Sequence, residues 1–346
     1  MKHKRLPFLL GILSALILGG GGWFLYQHFP SKEAPHNVTR PSQPPPETKE
    51  EKKAVCPLDG LLVKEEVANR HPLAVMVENH LEARPQAGLE EASLIYEALT
   101  EGGITRFMAL YVWGEPEKIG PVRSARTYYL DWATEFNAFY AHVGGNLDAL
   151  EKIKENKILD LDQFRYGERA YWRSGEKNKS LEHTMFTSAK KLWDLARQNK
   201  WEMTGNYPAL DFKDDIDKSQ RPTNASLTIN FSTPAYQVKW NYDPEDNSYK
   251  RVQLNAPALK AKNIVVMWLK RRAVTTRIGE SSYAMDTIGT GKAKVFRDGT
   301  VVEGTWKKEN RTARTFFYDT QGNKIQFNRG QTWIEIVHPE IAVSAQ

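Results

Sequence analysis

Residues 73–79 have the sequence LAVMVEN, in which five apolar residues in a row precede a Glu-Asn pair. An apolar run of this length predicts a strand that is buried in a sheet. Residues 106–113 (RFMALYVW) and 139–143 (FYAHV) are similarly rich in aromatic and aliphatic side chains. These three segments therefore predict buried strands in the first part of the chain.

Stretches with helical character lie between and after these strands, at 88–99, 124–136, 146–155 and 188–199. Ser124, Asn146 and Ser188 are each able to cap the N-terminus of the helix that follows. Strands that alternate with helices are typical of α/β and α+β layered domains. We place such an α/β ectodomain at residues 56–207.

The rest of the chain, residues 208–346, has the pattern of a mostly β domain of the sandwich or barrel type. Its short apolar segments are separated by turn signals, and RDGT at 297–300 and TQGN at 320–323 are typical of hairpins. The predicted strands lie at 226–231, 236–240, 249–254, 263–268, 293–296, 301–306, 315–318 and 333–337. The predicted fold class is α+β, with the two domains separating near residues 205–225.

The N-terminus has the features of a membrane anchor. Residues 1–5 are basic, and residues 6–26 (LPFLLGILSALILGGGGWFLY) carry no charge. About 20 apolar helical residues are enough to cross a hydrocarbon core of roughly 30 Å. The basic flank favours a cytoplasmic N-terminus and an extracytoplasmic bulk. We predict a single-pass signal-anchor over residues 1–29 of a cell-membrane protein. The glycines at 19–22 weaken the helix and keep a cleaved signal peptide as the alternative, although no A-x-A site follows.

Residues 30–55 combine six prolines with the charged run ETKEEKK. This composition cannot bury a core, and it predicts a disordered spacer between the membrane and the folded domains.

Charge and cysteine content exclude several classes of function. The net charge is +6, half of which comes from Lys2, Lys4 and Arg5 in the anchor, so we expect no nucleic-acid partner. A mildly basic ectodomain suits an anionic neighbour such as a cell-wall polymer. The single cysteine, Cys56, excludes an internal disulfide and any site that needs several thiolates. We predict no metal site, and the cofactor is unknown.

No Walker A loop, G-x-G-x-x-G, H-E-x-x-H, G-x-S-x-G or C-x-x-C motif is present in the sequence. Polar residues instead interrupt the apolar runs at a few places. In the segment from Glu97 to Arg106, Gly102 or Gly103 is expected to supply a positive φ. Glu97, Glu101 and Arg106 either bind a ligand or form an internal ion-pair network.

A second polar segment follows the Gly120-Pro121 turn. Arg123 and Arg126 are three residues apart, which would place them on one face of a helix that begins at Ser124. A helix N-terminus and bidentate guanidinium groups both attract phosphate or carboxylate. The alternative is that these arginines only pair with Asp131 or Glu97.

A third polar segment, His142-Val143-Gly144-Gly145-Asn146, joins a predicted strand to a predicted helix. Ligands of α/β sheets usually bind at such a position. His142 and His183 are the candidate catalytic bases, and each is otherwise a hydrogen-bonded structural histidine. We combine Gly144 and Gly145 with Arg106, Arg123 and Arg126 into one candidate anion site.

The long motifs VMVENHLEARPQAGLEEASLIYEALTEGGITRF, EKIGPVRSAR and YAHVGG occur in the order found in the YerB-like family, the domain of unknown function DUF3048. Residues 58–200 resemble its N-terminal domain, and NIVVMW, GTGKAKVFRDGTVVEGTW and GQTWIEI resemble its separate C-terminal domain. The resemblance implies a bacterial, Gram-positive cell-surface protein without a firmly assigned activity. Many relatives resemble lipoproteins with a lipobox, which this chain lacks. It also has Thr127 where Pro is common, and Glu182-His183-Thr184 where a Pro-His-Asn-like stretch is frequent.

Two functions remain open from the sequence. The first is a binding or scaffold module of the cell envelope, which holds an anionic polymer or an envelope protein. The second is an envelope-acting hydrolase or phosphotransferase, with His142 or His183 as base and the arginines stabilising charge.

Overall fold

The computed structural model describes residues 51–346, so the predicted anchor and most of the predicted linker lie outside the described residues. Between residues 51 and 346, no helix has both the length and the hydropathy that crossing a bilayer requires. Lys53–Val55, predicted as linker, forms a strand paired with Leu62–Lys64. Residues 53–55 are therefore folded, not part of a disordered spacer, and the buried Cys56 donates its N–H to Leu61 O (2.8 Å) and closes this hairpin.

The described residues form short helices and many strands. The strands of the first segment are β1 Lys53–Val55, β2 Leu62–Lys64, β3 Leu73–Glu78, β4 Leu94–Leu99, β5 Thr105–Tyr111, β6 Phe139–His142, β7 Asp160–Asp162, β8 Trp172–Arg173 and β9 Met185–Phe186. Those that follow are β10 Phe212–Lys213, β11 Ser226–Asn230, β12 Gln237–Asp243, β13 Ser248–Val252, β14 Leu259–Ala261, β15 Asn263–Trp268, β16 Arg271–Thr275, β17 Ser281–Met285, β18 Gly289–Arg297, β19 Thr300–Lys308, β20 Phe316–Asp319, β21 Phe327–Asn328, β22 Thr332–Val337 and β23 Ala342–Ala345. The α-helices are α1 Glu65–Ala68, α2 Thr127–Ala133, α3 Leu147–Glu155, α4 Gln163–Tyr166 and α5 Ala189–Gln198.

One mixed sheet of ten strands organises the molecule, in the order β20-β19-β18-β15-β22-β4-β5-β3-β6-β7. Five of these strands come from before residue 163 and five from after residue 262. β22 joins the two groups, since it pairs in parallel with β4 on one side and with β15 on the other. The sheet thus continues across the predicted domain boundary, and the existence of two separable domains stays a prediction.

Alternate side chains of the central strands enter two different cores. On one face, Val75, Phe107 and Trp333 belong to a core that also contains residues of α5 and of a five-stranded antiparallel sheet, β14-β13-β12-β11-β23. On the other face, Met76 and Met108 belong to a core that contains residues of α2 and α3. Both faces of β3, β4 and β5 are covered, which explains why these strands are apolar throughout.

The mixed α+β fold and the mostly β second segment are confirmed, and so are the predicted caps Asn146 and Ser188. The helix predicted over 88–99 is wrong, because its second half is strand β4. Those six residues are all buried between β22 and β5, and this pairing outweighs their local helical character.

The hairpin turn predicted at 297–300 is confirmed. β18 and β19 pair up to Arg297 and Thr300, which leaves a two-residue turn. Asp298 and Gly299 both have positive φ (54° and 69°), as this tight turn requires.

Candidate functional site

Most of the candidate residues gather at one end of the central sheet, where β3 and β6 end and β5 begins. Glu78, the last residue of β3, lies opposite Arg106 of β5, and His142 is the last residue of β6. The segment 120–126 crosses this end, and the Arg123 N–H donates to a carbonyl of β3 at 2.9 Å.

The two arginines of this segment do not lie on a helix. α2 begins at Thr127, and Arg126 before it is extended, with φ −137° and ψ 148°. The helix start predicted at Ser124 is wrong because the preceding backbone pairs with its neighbours. Val122 bridges to β3, and Ala125 bridges to the loop after β6. Strand-like pairing, not a helix N-terminus, therefore positions both guanidinium groups.

Arg123 lies between two carboxylates that differ in exposure. Its Nε is 3.1 Å from Oε1 of the buried Glu78, and its Nη2 donates to Oε2 of Glu182 at 2.6 Å. The side chains of Glu182 and Arg123 are 52% and 25% exposed. The hydrogen bond from Arg123 lowers the pKa of Glu182, which is therefore ionised at neutral pH. The predicted pairing of this arginine with Asp131 or Glu97 is wrong, because its guanidinium group pairs with Glu78 and Glu182 instead.

His183 contacts the other oxygen of the same buried carboxylate. Its Nδ1 is 2.9 Å from Oε2 of Glu78, and because a carboxylate only accepts, Nδ1 carries the proton. Its Nε2 lies 3.5 Å from Oε2 of Glu82 and 3.8 Å from Oε1 of Glu182. The ring of His80 is stacked on that of His183, with 4.8 Å between centroids. Within residues 51–346, the side chains of His80, Glu82 and His183 are the ones grouped closely enough to hold a metal ion.

Arg126 forms a separate ion pair with Glu101. Its Nε donates to both carboxylate oxygens at 2.9 Å, and its Nη2 lies 2.8 Å from Oε2. Glu101 opens a turn in which Gly102 and Gly103 both have positive φ (70° and 71°), as predicted. Arg126 and Glu101 are therefore neighbours, but each satisfies the charge of the other.

Arg106 holds two neighbouring segments of the site together. It is buried, and its Nη1 donates to the carbonyl oxygen of Ser124 at 2.6 Å, which ties β5 to the segment 120–126. Burial lowers its pKa to about 10. Its Nε has no hydrogen-bond partner in the described part of the chain.

The glycine turn after β6 uses its backbone groups internally. Gly144 adopts φ 56°, its N–H donates to Oδ1 of Asp162 at 2.9 Å, and its carbonyl accepts from Ala125 N at 2.9 Å. Gly145 forms a parallel bridge with Ala125. The glycines lie near the arginines, as predicted, but this N–H group is not directed at a ligand.

His142 is held on both sides of its ring. Nδ1 lies 2.7 Å from the carbonyl oxygen of Gly144, Nε2 lies 3.0 Å from Oδ1 of Asp160, and the side chain is fully buried. Each ring nitrogen thus faces an oxygen acceptor. This environment fits the structural alternative better than the role of a catalytic base.

Glu97 belongs to a different part of the molecule. Its Oε2 accepts from Nη2 of Arg251 at 2.6 Å, and its Oε1 accepts from the hydroxyl of Thr105 at 2.6 Å. Both members of the ion pair are buried. The pair links β4 of the central sheet to β13 of the five-stranded sheet, so Glu97 stabilises the packing of the two sheets.

Glu78, His80 and Glu82 are not among the site residues predicted from the sequence. The stretch Glu78-Asn79-His80 directly follows a buried strand, and the end of such a strand was a signal for a site. His183 lies about a hundred residues further along the chain. Only the tertiary fold shows that it contacts this strand end.

Comparisons with known proteins match both parts of the chain to one family. The model described as "Protein of unknown function (DUF3048) N-terminal domain" matches residues 58–202, and the one for the DUF3048 C-terminal domain matches residues 227–334. "Putative lipoprotein YerB" of Bacillus subtilis is 28% identical over 295 residues, which are 83% of this chain and 87% of YerB. The crystal structure of B. subtilis YerB matches with a TM-score of 0.74, at 28% identity, over 84% of this chain and 100% of that one. The chain belongs to the DUF3048 family, with both of its domains.

Proposed function

We propose that this chain is a membrane-associated, extracytoplasmic protein of the bacterial cell envelope that binds an anionic envelope ligand at Arg123. Its location is supported by the lipoprotein description that YerB carries and by the apolar residues 6–26. Cys56 is the single cysteine and lies buried in the core, so it is not accessible to a lipid. Residues 6–26 are therefore the proposed attachment to the membrane.

The observation that carries the binding proposal is the unequal pair of carboxylates on Arg123. Glu78 is buried and holds Nε in place, whereas Glu182 is exposed and occupies Nη2. An exposed ion pair contributes little to stability, so a ligand carboxylate or phosphate can replace Glu182 at small cost. The buried carboxylate keeps the guanidinium oriented during this exchange, and a guanidinium binds such groups in bidentate fashion.

The test compares single variants of the full chain for binding to a poly(glycerol phosphate) polymer at two salt concentrations. Arg123→Gln should weaken binding and reduce its salt dependence, because it removes the proposed contact. Glu182→Gln should strengthen binding, because it removes the competing carboxylate. Arg272→Gln is the matched control, since it takes one positive charge from an exposed pair with Asp286 on the surface.

The opposite responses of Arg123→Gln and Glu182→Gln separate a local site from general charge attraction. If Arg123→Gln weakens binding no more than Arg272→Gln, and Glu182→Gln leaves it unchanged, the proposed anion site is refuted. The proposal is also refuted if the purified chain does not bind the polymer and the polymer is retained only through a protein partner in envelope extracts.

A further inference from the structure

We propose that His80, Glu82 and His183 form a binding site for a divalent transition-metal ion of the zinc class. Their ligand atoms all lie within 4.8 Å of one another, with one residue buried, one half-buried and one exposed. Two imidazoles and one carboxylate are a ligand set that suits zinc and related ions rather than calcium or magnesium. The inference concerns a different ligand from the anion proposed above and does not depend on it.

The first support is the orientation of His183. Its Nδ1 donates to Oε2 of the buried Glu78 at 2.9 Å, so the lone pair of the neutral ring is on Nε2. A carboxylate behind a histidine is the usual arrangement at metal sites, where it sets the tautomer and makes the ring a better ligand. Arg123 holds the other oxygen of Glu78 at 3.1 Å, which fixes the carboxylate in turn.

The second support is the direction in which Nε2 of His183 points. It faces Oε2 of Glu82 at 3.5 Å and Oε1 of Glu182 at 3.8 Å, distances too long for hydrogen bonds. Two ligand atoms on one tetrahedral zinc ion are roughly 3.3 Å apart, given metal–ligand bonds of about 2.0 Å. The separation between Nε2 and Glu82 is therefore already close to the one that an ion would need.

His80 supplies the third ligand after a change of side-chain rotation. Its ring is stacked on that of His183 at an interplanar angle of 7°, so the His80 ring must turn for its lone pair to converge with Nε2 of His183. His80 is half-buried in the turn that follows β3, and its Nδ1 accepts a long hydrogen bond from the N–H of Glu82 (3.3 Å), which the rotation would replace with the metal bond. Three protein ligands leave a fourth position, for water or for Glu182, whose Oε1 is near.

The experiment is a calorimetric titration of the full chain with Zn²⁺ after removal of bound metal by a chelator. Glu82→Gln and His80→Asn are the test variants, because both positions are outside the core and neither change should disturb folding. Glu340→Gln is the matched control, since Glu340 is an exposed carboxylate that lies 2.5 Å from the ring of another histidine, His338. All variants keep the histidines of residues 1–50, so differences between them report on this site alone.

The expected result is one Zn²⁺ per chain whose affinity falls about tenfold or more in Glu82→Gln and in His80→Asn, and stays unchanged in Glu340→Gln. Co²⁺ bound to the parent should show the visible absorption of a tetrahedral site, and Glu82→Gln should lose it. The proposal is overturned if the parent does not bind Zn²⁺, or if both test variants bind it as tightly as the parent.

Discussion

Glu335 offers a sharp test of the electrostatics inside the fold. It lies on β22, is fully buried, and its Oε1 accepts from Nε1 of Trp240 at 2.8 Å. Across the parallel pair of β22 and β4 it is directly opposite Glu97. Burial, together with the neighbouring carboxylate, raises the pKa of Glu335 well above its usual value. This shift favours the protonated form of Glu335 in the folded chain.

The sign of the effect follows from proton linkage. In the unfolded chain a glutamate loses its proton near pH 4.3, so above this pH folding must take up a proton. A raised folded pKa contributes stability at low pH that is lost as the pH rises. Between about pH 4.3 and the raised folded pKa, this group should lower the free energy of unfolding by about 1.4 kcal/mol for each pH unit.

Glu335→Gln should remove this loss. The glutamine has the same shape, its oxygen still accepts from Trp240, and it never ionises. We expect the stability of the variant relative to the parent to rise with pH above about pH 4.3, by about 1.4 kcal/mol per pH unit until the folded pKa is reached, as measured by urea unfolding of the full chain. Glu245→Gln is the control, because Glu245 is exposed and pairs with Lys218 at the surface. A difference between Glu335→Gln and the parent that stays constant with pH would refute the reasoning.

Three further predictions concern the core and the domain boundary. Arg251→Met should lower the free energy of unfolding in urea by about 3–5 kcal/mol, because Glu97 then lacks its buried cation. Arg272→Met, in an exposed pair, should lower it by less than about 1 kcal/mol, and equal losses in the two variants would contradict the prediction. Burial raises the pKa of the Cys56 thiol to about 12. Iodoacetamide should therefore alkylate Cys56 only after denaturation, as measured by mass spectrometry, and rapid labelling of the folded chain would contradict this. The fragment 56–207 lacks both β22 and Arg251, which leaves β4 with an open edge, so size-exclusion chromatography should show that the fragment aggregates. A soluble monomer with mixed α/β circular dichroism would contradict this and support the prediction of two separable domains.

The fold was predictable where local pattern and final environment agree. β3 is apolar along its whole length because both of its faces are covered, and this is visible in the sequence. β4 contains Tyr96 and Glu97 in a similar stretch, but it is buried as a strand between β5 and β22, and β22 is more than two hundred residues away. The polar hairpin β16–β17 carries no buried apolar stripe, so nothing in its sequence distinguished it from a loop.

The candidate site was predictable only in part, for a similar reason. Arg123 and Arg126 were recognised as charged residues in an otherwise apolar region. Glu101, the partner of Arg126, was among the predicted site residues, whereas Glu78 and Glu182 were not assigned to Arg123, because both lie more than forty residues away from it in the chain. Ion pairing between distant segments leaves no periodic signal in a single sequence.

The position of β22 has a consequence for how the chain reaches its final state. This strand is among the last to be synthesised, yet it lies in the middle of the ten-stranded sheet. If the N-terminus stays in the cytoplasm, as predicted, and the residues after the anchor cross the membrane in chain order, β4 keeps an open edge until residues 332–337 have also crossed. The early strands can then complete their sheet only outside the cell, so the chain stays unfolded enough to be translocated and folds after its C-terminal end arrives.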